Sequence, residues 1–352
     1  MLLVCNMTEE TLDDIQNERV VLAAVPQGEL QASDLRWERA AMPEPGDGEL
    51  LLETIYLSID PYMRWWMRRE KSYHVPIPVG AVIVGATVSR VRLSRNAAWT
   101  EGDWVLGWSG WQRCAMSDGT GLRRLDPELG SPSTALGVLG MTGFTAYAGL
   151  RNIGRPKAGE TVVVSAASGA VGSAVGQIAR IHGARVVGLT TGAQKLAYVK
   201  DELGFDAVVD YRDSDFKNRL ANAVPNGIDV YWENVGGPIW DAVLPLLNTY
   251  ARVPVCGLIA QYEDNSGGHS GGDRLAGMMA EIMGRSLTIR GFIQTEFADT
   301  QTDDFLREAG AWFKEGRLRH REHIVHGLQN APEALIAQLK GQNFGKMLVQ
   351  IG

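Results

Sequence analysis

Short apolar runs separated by turn residues make up the first third of the chain. Clusters of Pro, Gly and acidic residues, such as Pro43–Gly48, interrupt these runs. This spacing is typical of β-strands joined by tight turns, so residues 18–125 are predicted to form a barrel-like or sandwich domain. The predicted strands are Arg19–Ala24, Glu49–Ile55, Ala81–Val91 and Trp104–Trp111.

The pattern changes near residue 135, where apolar runs begin to alternate with helical patterns. Such alternation indicates βαβ units and a parallel sheet. The predicted strands are Thr161–Ser165, Arg185–Thr190, Asp206–Tyr211, Gly227–Glu233, Ala251–Leu258 and Ser286–Phe292. The predicted helices are Ala170–His182, Ala193–Glu202, Asp215–Ala223 and Trp240–Leu247. Beyond them, the end of the chain is expected to fold back onto the first domain. Its predicted helices are Asp303–Glu315 and Ala331–Gln338, and its predicted strands are Glu322–Val325 and Lys346–Ile351.

Composition narrows the function classes. The 352 residues are 45% apolar and 21% charged with a net charge of −7, which argues against a general nucleic-acid binder. Widely separated cysteines (Cys5, Cys114 and Cys256) favour a reducing compartment and offer no disulfide framework. The uncharged stretches Ser131–Leu150 and Thr161–Ala179 are rich in small residues, so we interpret them as the interior of a soluble domain and expect no membrane helix. The acidic segment after the short apolar start predicts no signal peptide.

The strongest motif is TVVVSAASGAVGSAVGQIA, residues 161–179, which reads as a strand, a turn and a helix. Against the dinucleotide fingerprint G-x-G-x-x-G it supplies Ala167, Gly169 and Gly172, with Ala in place of the first glycine. Gly169 lets the backbone approach a pyrophosphate, and Gly172 and Gly176 let the helix pack closely. The alternative is a tight turn without a ligand. The second strand that follows favours a nucleotide site.

The end of that second strand predicts the cofactor. NAD sites usually place an acid there to bond the ribose 2′-hydroxyl. This chain reads GLTTGAQK, with Thr190, Thr191, Gly192 and Lys195 and no carboxylate before Asp201. An acid repels a 2′-phosphate and a cation holds it, so NADPH is predicted. The alternative for Lys195 is an ordinary solvated lysine.

A metal site is not expected. Glu322, His323 and His326 have a spacing that could suit a metal, but they lie in a predicted strand and turn within a basic segment. Exposed polar residues are the favoured interpretation. The sequence also has no Ser-His-Asp arrangement or G-x-S-x-G elbow.

Motifs along the whole chain resemble one family, the zinc-independent medium-chain dehydrogenase/reductases, and within it the prostaglandin reductase, alkenal double-bond reductase and NADPH-dependent curcumin reductase group. The motifs are LSIDPYMR (57–64), GMTGFTAYAGL (140–150), AASGAVGSAVGQIA (166–179), QKLAYVKDELGFDAVVDYR (194–212), WENVGG (232–237), CGLIAQY (256–262) and GQNFGKMLV (341–349). The resemblance implies an α/β protein with a GroES-like β-rich catalytic domain, residues 1–138 and 310–352. A doubly wound, parallel-sheet Rossmann domain, residues 139–309, is inserted between, with the active site in the cleft.

The resemblance also implies an activity, an assembly and a cofactor site. The expected activity is metal-free, NADPH-dependent reduction of the carbon–carbon double bond of hydrophobic α,β-unsaturated ketones or aldehydes by hydride transfer to the β-carbon. Cytoplasmic homodimers are expected. Thr191 and Gly192 should lie beside Lys195 at the 2′-phosphate, with Tyr211 near it or the adenosine. The other expected cofactor contacts are Met141, Thr142, Gly169, Ala170, Val171, Gly172, Asn234, Cys256, Gly257, Ile259, Tyr262, Phe292, Ile293, Gln294 and Asn343.

Two tyrosines are the predicted catalytic residues. A hydrogen-bond donor near the carbonyl oxygen stabilises the charge that develops there. Tyr262, after a strand's carboxyl end, is the first choice for that donor and Tyr62 the second; the alternative for each is a packed aromatic. Tryptophans of the first domain form either a wall for the substrate or core: Trp65, Trp66, Trp108 and Trp111. A quinone reductase and a non-catalytic NADPH-binding sensor or structural protein remain alternatives.

Overall fold

The computed structural model describes residues 16–69, 73–126, 130–263 and 274–351. The strands in these ranges are β1 (Asn17–Leu22), β2 (Leu35–Ala40), β3 (Leu50–Ser58), β4 (Thr87–Ser94), β5 (Trp104–Gly107), β6 (Cys114–Ser117), β7 (Arg123–Leu125), β8 (Thr161–Ser165), β9 (Arg185–Thr190), β10 (Ala207–Asp210), β11 (Ile228–Trp232), β12 (Leu247–Val255), β13 (Thr288–Gly291), β14 (Glu322–His326) and β15 (Lys346–Gln350). The α-helices are α1 (Tyr62–Trp66), α2 (Met141–Gly149), α3 (Ala170–Ile181), α4 (Ala193–Ala197), α5 (Phe216–Ala223), α6 (Gly237–Val243), α7 (Leu275–Arg285), α8 (Ala298–Lys314) and α9 (Ala331–Leu339).

Strands from both ends of the chain share one sheet, which we call the mixed sheet. Its order within the described residues is β14-β15-β3-β4-β5-β7, and β6 also pairs with β3. β15 runs antiparallel to β3, with Val349 opposite Leu57, and β14 runs parallel to β15. The end of the chain therefore folds back onto the first part, as its pattern predicts. The exact domain boundaries stay a prediction.

The middle of the chain forms a parallel sheet in the order β10-β9-β8-β11-β12-β13. β8 is buried along its whole length, because strands of a parallel sheet are covered by helices on both faces and read as continuous apolar runs. The strand order reverses between β8 and β11. In open α/β sheets a ligand crevice forms outside the carboxyl ends of the strands at such a point. The turns after β8 and β11 therefore mark the site.

Three of the described α-helices were not predicted from the sequence: α1, α2 and α7. α1 has only five residues, too few to show a helical period. Seven of the nine residues of α2 are buried, so it has no polar face from which a helical period could be read. α7 lacks buried residues among those described, so its pattern is not that of a core helix. The predicted strand Ala251–Leu258 begins earlier, at Leu247, and ends at Val255.

The two uncharged stretches are parts of the interior. Ser131–Leu150 contains α2, and Thr161–Ala179 contains β8, its turn and most of α3. In the part of the chain that the structure describes, no helix has the length and apolar character needed to cross a membrane.

Candidate active-site cleft

The turn after β8 presents backbone amides to the crevice. Ala166 has a positive φ of 50°, and the N–H of Gly169 donates to the carbonyl of Ala166 at 2.9 Å. α3 then begins at Ala170, and the first N–H groups of a helix have no partner within it. Together with the helix dipole they favour an anion at this point.

The alanine that replaces the first fingerprint glycine fits this turn. Ala167 is fully buried, and a Cβ on Gly188 would lie 2.9 Å from its methyl group. Because Gly188 on β9 has no side chain, there is room for the methyl group of Ala167 in the turn. Gly172 is required, because a Cβ there would lie 2.3 Å from the carbonyl oxygen of Ala166. At Gly176 a Cβ would lie 1.9 Å from the ring of Phe205, which confirms the close helix packing predicted for it.

Asp210 organises the ends of β9 and β10. Its carboxylate accepts from the backbone N–H of Gly192 at 3.2 Å and of Arg212 at 2.8 Å. Burial opposes its ionisation, but the amide hydrogen bonds from Arg212 and Gly192 hold the pKa of Asp210 below its ordinary value. The Tyr211 N–H donates to the carbonyl of Thr190, so the predicted residues at 191–192 and 211 lie together.

Two cations lie at this end of the crevice. The Nζ of half-buried Lys195 donates to the carbonyl of Gly341 at 2.7 Å. Burial lowers the pKa of Lys195, and the positive charge of Arg212 lowers it further. An anion between them would relieve their repulsion. The sequence analysis missed Arg212; its position next to Tyr211 in the motif ending at 212 was the available signal.

The segment 341–345, which we call the strap, crosses from the mixed sheet to the nucleotide turn. Gly345 pairs with Gly169 and donates to the carbonyl of Ser168 at 3.2 Å. The side chain of Asn343 donates to the carbonyl of Gly345 at 2.9 Å, which shapes the strap. Phe344 packs edge-on against Tyr198 with ring centroids 5.1 Å apart. Asn343 thus lies in the segment that pairs with the nucleotide turn, and its contact with the cofactor stays a prediction.

The ends of β11 and β12 are fixed to each other and to β8. The side chain of Asn234 donates to the carbonyl of Ser165 at 2.7 Å and accepts from the Trp232 indole at 3.0 Å. The N–H groups of Cys256 and Gly257 donate to the carbonyl of Glu233. Asn234, Cys256 and Gly257 therefore meet at the crevice.

The remaining predicted cofactor contacts, Ile259 and residues 292–294, differ in their distance from the crevice and in their burial. The N–H of Ile259 donates to the carbonyl of Asn234 at 3.2 Å, which keeps it at the crevice. Phe292 is buried in the core, where its ring packs 5.8 Å from that of Trp232. Ile293 and Gln294 follow it and are partly exposed.

Thr142, at the start of α2, has a buried hydroxyl group that faces no hydrogen-bond partner among the described residues. Met141 is the first residue of α2, and Thr142 is buried beside it. A buried hydroxyl without a partner costs free energy, so a ligand that bonds to it would be stabilised.

Tyr262 and Tyr62 both have raised pKa values, and a third tyrosine that the sequence analysis missed, Tyr73, contributes to both. Burial raises the pKa of Tyr262 well above its ordinary value, with smaller contributions from Cys256 and Tyr73. Burial likewise raises the pKa of Tyr62, helped by Asp60 and Tyr73. The hydroxyl of Tyr62 is buried without a partner among the described residues. Both hydroxyls therefore keep their protons at neutral pH and can donate.

Aromatic rings surround these hydroxyls. Trp65 lies 5.8 Å from the ring of Tyr262, and Trp66 lies 4.4 Å from that of Tyr62. Trp66 also stacks on His74 at 3.8 Å, and Trp108 approaches it at 6.4 Å while staying 52% exposed. We call Trp65, Trp66, Tyr73, His74 and Trp108 the aromatic wall. Trp111 is fully buried and belongs to the core instead.

The side chains of the candidate metal ligands near the end of the chain do not all lie on one face of their strand. Glu322, His323 and His326 lie on β14, where residues three apart point to opposite faces. Glu322 accepts from the hydroxyl of Ser133 at 3.0 Å. Within the described ranges, no three His, Cys, Asp or Glu side chains are grouped so as to hold a metal.

Two family models match the chain. The N-terminal domain of oxidoreductase covers residues 18–125, and zinc-binding dehydrogenase covers residues 170–308. The chain is 48% identical to the NADPH-dependent curcumin reductase of Escherichia coli (strain K12), over 96% of this chain and 97% of that one. It is 38% identical to prostaglandin reductase 1 of Oryctolagus cuniculus, over 89% and 87%.

A solved structure is also similar. The structure of CurA from Vibrio vulnificus in complex with NADPH superposes with a TM-score of 0.92 at 46% identity, over 95% of this chain and 99% of that one. This agreement extends over both sheets. The chain therefore belongs to the medium-chain dehydrogenase/reductase family, in the group of the prostaglandin reductases, alkenal double-bond reductases and NADPH-dependent curcumin reductases.

Proposed function

We propose that the protein uses NADPH to reduce the carbon–carbon double bond of α,β-unsaturated ketones and aldehydes. The observation that carries this proposal is the position of Tyr262, whose ring lies against Trp65 of the aromatic wall at the carboxyl end of the sheet that bears the nucleotide turn. The relatives named for NADPH and for curcumin or prostaglandin reduction support it. The quinone reductase and sensor alternatives are not favoured.

The residues of the crevice fit NADPH. The amides of Ala170–Gly172 at the start of α3 suit a pyrophosphate. Lys195 and Arg212 suit the 2′-phosphate. The unpartnered hydroxyl of Thr142 suits a polar group on the nicotinamide, such as its carboxamide. Bound NADPH supplies the hydride that reduction of the double bond requires.

In the proposed reaction the Tyr262 hydroxyl acts on the substrate. As the β-carbon is reduced, negative charge develops on the carbonyl oxygen, and a hydroxyl that donates to it lowers the barrier. Its raised pKa keeps Tyr262 protonated for this purpose. The ring of Trp65 lies against Tyr262, and a hydrogen bond is stronger beside apolar rings than in open water. Tyr62 is the second donor, and because both hydroxyls polarise the carbonyl, we infer that no zinc is needed.

We also infer a homodimer in the cytoplasm. β13 is the edge of the parallel sheet, and an unpaired edge can pair with a second copy. The preceding helix α7 exposes three apolar side chains, Leu275, Met279 and Met283, and Met283 is 81% exposed. Exposed apolar residues grouped in this way are typical of an interface. The free cysteines Cys114 and Cys256 favour a reducing compartment.

The test is turnover with three acceptor classes. NADPH consumption is followed with an alkenal, an extended enone such as curcumin, and a quinone. Oxidation with the alkenal or enone and recovery of the saturated carbonyl product are expected. Consumption with the quinone alone would favour the quinone reductase, and tight NADPH binding without any turnover would contradict an enzymatic function. Sedimentation of the purified protein decides the assembly, and a monomer at micromolar concentration would contradict the homodimer.

A further inference from the structure

An arginine of the first part of the chain holds the turn that carries Tyr262. Arg68 follows α1, and its Nη2 donates to the backbone carbonyl of Tyr262 at 2.8 Å and to that of Gln261 at 3.3 Å. Its guanidinium lies 4.5 Å from the ring centroid of Trp65. Arg68 is only 8% exposed. A cation buried this far is stabilised by donating to such carbonyls.

Further contacts attach the same turn to the same part of the chain. The backbone N–H of Leu30 donates to the carboxylate of Glu263 at 3.0 Å. The loop that carries Leu30 is in turn held by Arg64, whose Nη2 donates to the carbonyl of Gly28 at 2.5 Å. With the ring of Trp65 against that of Tyr262, these contacts flank Tyr262 on both sides in sequence. They join two distant parts of the chain, since Arg68 and Tyr262 are 194 residues apart.

We propose that Arg68 is a positioning residue that holds the Tyr262 hydroxyl against the substrate carbonyl oxygen. The proposal rests on the proposed function. Arg68 contacts the main chain of Tyr262, so it fixes the turn without occupying the hydroxyl, whose own backbone neighbour is Leu258. A donor acts on developing charge only over a hydrogen-bond distance, and a displacement of about 1 Å can cost roughly 100-fold in rate.

The test compares Arg68→Met with Arg69→Met in the full-length protein with NADPH. Methionine keeps an unbranched stem against Trp65 but cannot donate, and Arg69 is an exposed neighbour of the same charge. The first measurement is amide hydrogen exchange of the turn Gln261–Glu263. We expect Arg68→Met to speed it about 10-fold and Arg69→Met to leave it unchanged. This measurement does not depend on turnover.

The second measurement is enone reduction. We expect Arg68→Met to lower kcat between about 10- and 100-fold with an unchanged KM for NADPH. Combined with Tyr262→Phe, it should cost no more than Tyr262→Phe alone, since both changes remove the same interaction. Arg68→Lys, which keeps a cationic donor, should recover most of the loss. If the methionine variant does not fold, Arg68→Gln takes its place, because it removes the charge and shortens the side chain.

Distinct results overturn the inference. Exchange in Arg68→Met, or in the Arg68→Gln variant that replaces it, as slow as in Arg69→Met would show that Arg68 does not hold the turn. Losses that multiply in the double variant would show that Arg68 acts independently of Tyr262. If the unmodified protein reduces no enone, the proposed function is overturned and this role with it. If the unmodified protein does reduce enones, and Arg68→Met shows normal turnover and unchanged exchange, only the role of Arg68 is overturned.

Discussion

Replacing Lys195 by methionine tests the phosphate end of the cleft. Lys195 is half-buried beside Arg212, and its Nζ already donates to Gly341. Two opposite charges about 4 Å apart attract by roughly 4 kcal/mol at the dielectric of a protein surface. Exposure and screening reduce this, and charge-assisted hydrogen bonds contribute about 1.5–3 kcal/mol in proteins. We therefore expect a loss of about 2 kcal/mol, or roughly 30-fold in Kd for NADPH.

The assay is a fluorescence titration of NADPH and NADH against both the unmodified chain and its variants. Lys200→Met is the matched control, because Lys200 lies further along the same helical segment and its Nζ donates to the carbonyl of Asp206 at 2.8 Å. Both changes remove one charge and one carbonyl contact, but only Lys195 faces the strap. We expect Lys195→Met to weaken NADPH alone, since NADH has no 2′-phosphate.

Two results would refute this reasoning. Equal weakening of NADPH and NADH would mean that Lys195 supports the strap through Gly341 and does not meet the phosphate. An unchanged Kd for NADPH in Lys195→Met, with the same result in Arg212→Met, would place the 2′-phosphate elsewhere.

Three further predictions follow from single contacts. Tyr262→Phe should lower kcat for an enone by about 10- to 100-fold while the Kd for NADPH stays unchanged, and an unchanged kcat would remove the hydroxyl from the mechanism. Gly176→Ala should destabilise the fold by at least about 1–3 kcal/mol in thermal unfolding, because its methyl meets the ring of Phe205, whereas Gly277→Ala on α7 meets nothing and should be neutral or stabilising. Burial raises the pKa of Cys256 to about 12, so roughly one thiol in 10⁴ is ionised at pH 8; alkylation followed by mass spectrometry should be slow there and rise with pH, and rapid labelling at pH 8 would contradict this.

The nucleotide turn was predictable because its chemistry is local. A strand, a small-residue turn and a helix follow one another within the stretch Thr161–Ala179, so period and composition predict them without knowledge of the rest. The fit of Ala167 was not predictable in the same way, because its methyl fills space left by Gly188 on the neighbouring strand. Only the pairing of β8 with β9 brings the two together.

Residues that act across the two sheets escaped the sequence pattern. Tyr73, Arg68 and Arg212 look like ordinary polar or aromatic positions in their own segments. Their roles depend on packing against residues far away in the chain, such as Arg68 against the turn at Tyr262. The same holds for Phe292, expected from the family resemblance to border the cofactor: the packing of its ring against Trp232 is a contact that its own segment does not reveal.

The central claim is that the hydride goes to the β-carbon of an activated double bond. The most direct test is to reduce an enone with NADPH deuterated at the transferable position and to locate the label by NMR. We expect a saturated ketone with deuterium on its β-carbon. Deuterium on the carbonyl carbon of an alcohol product, or no labelled product despite bound NADPH, would contradict it.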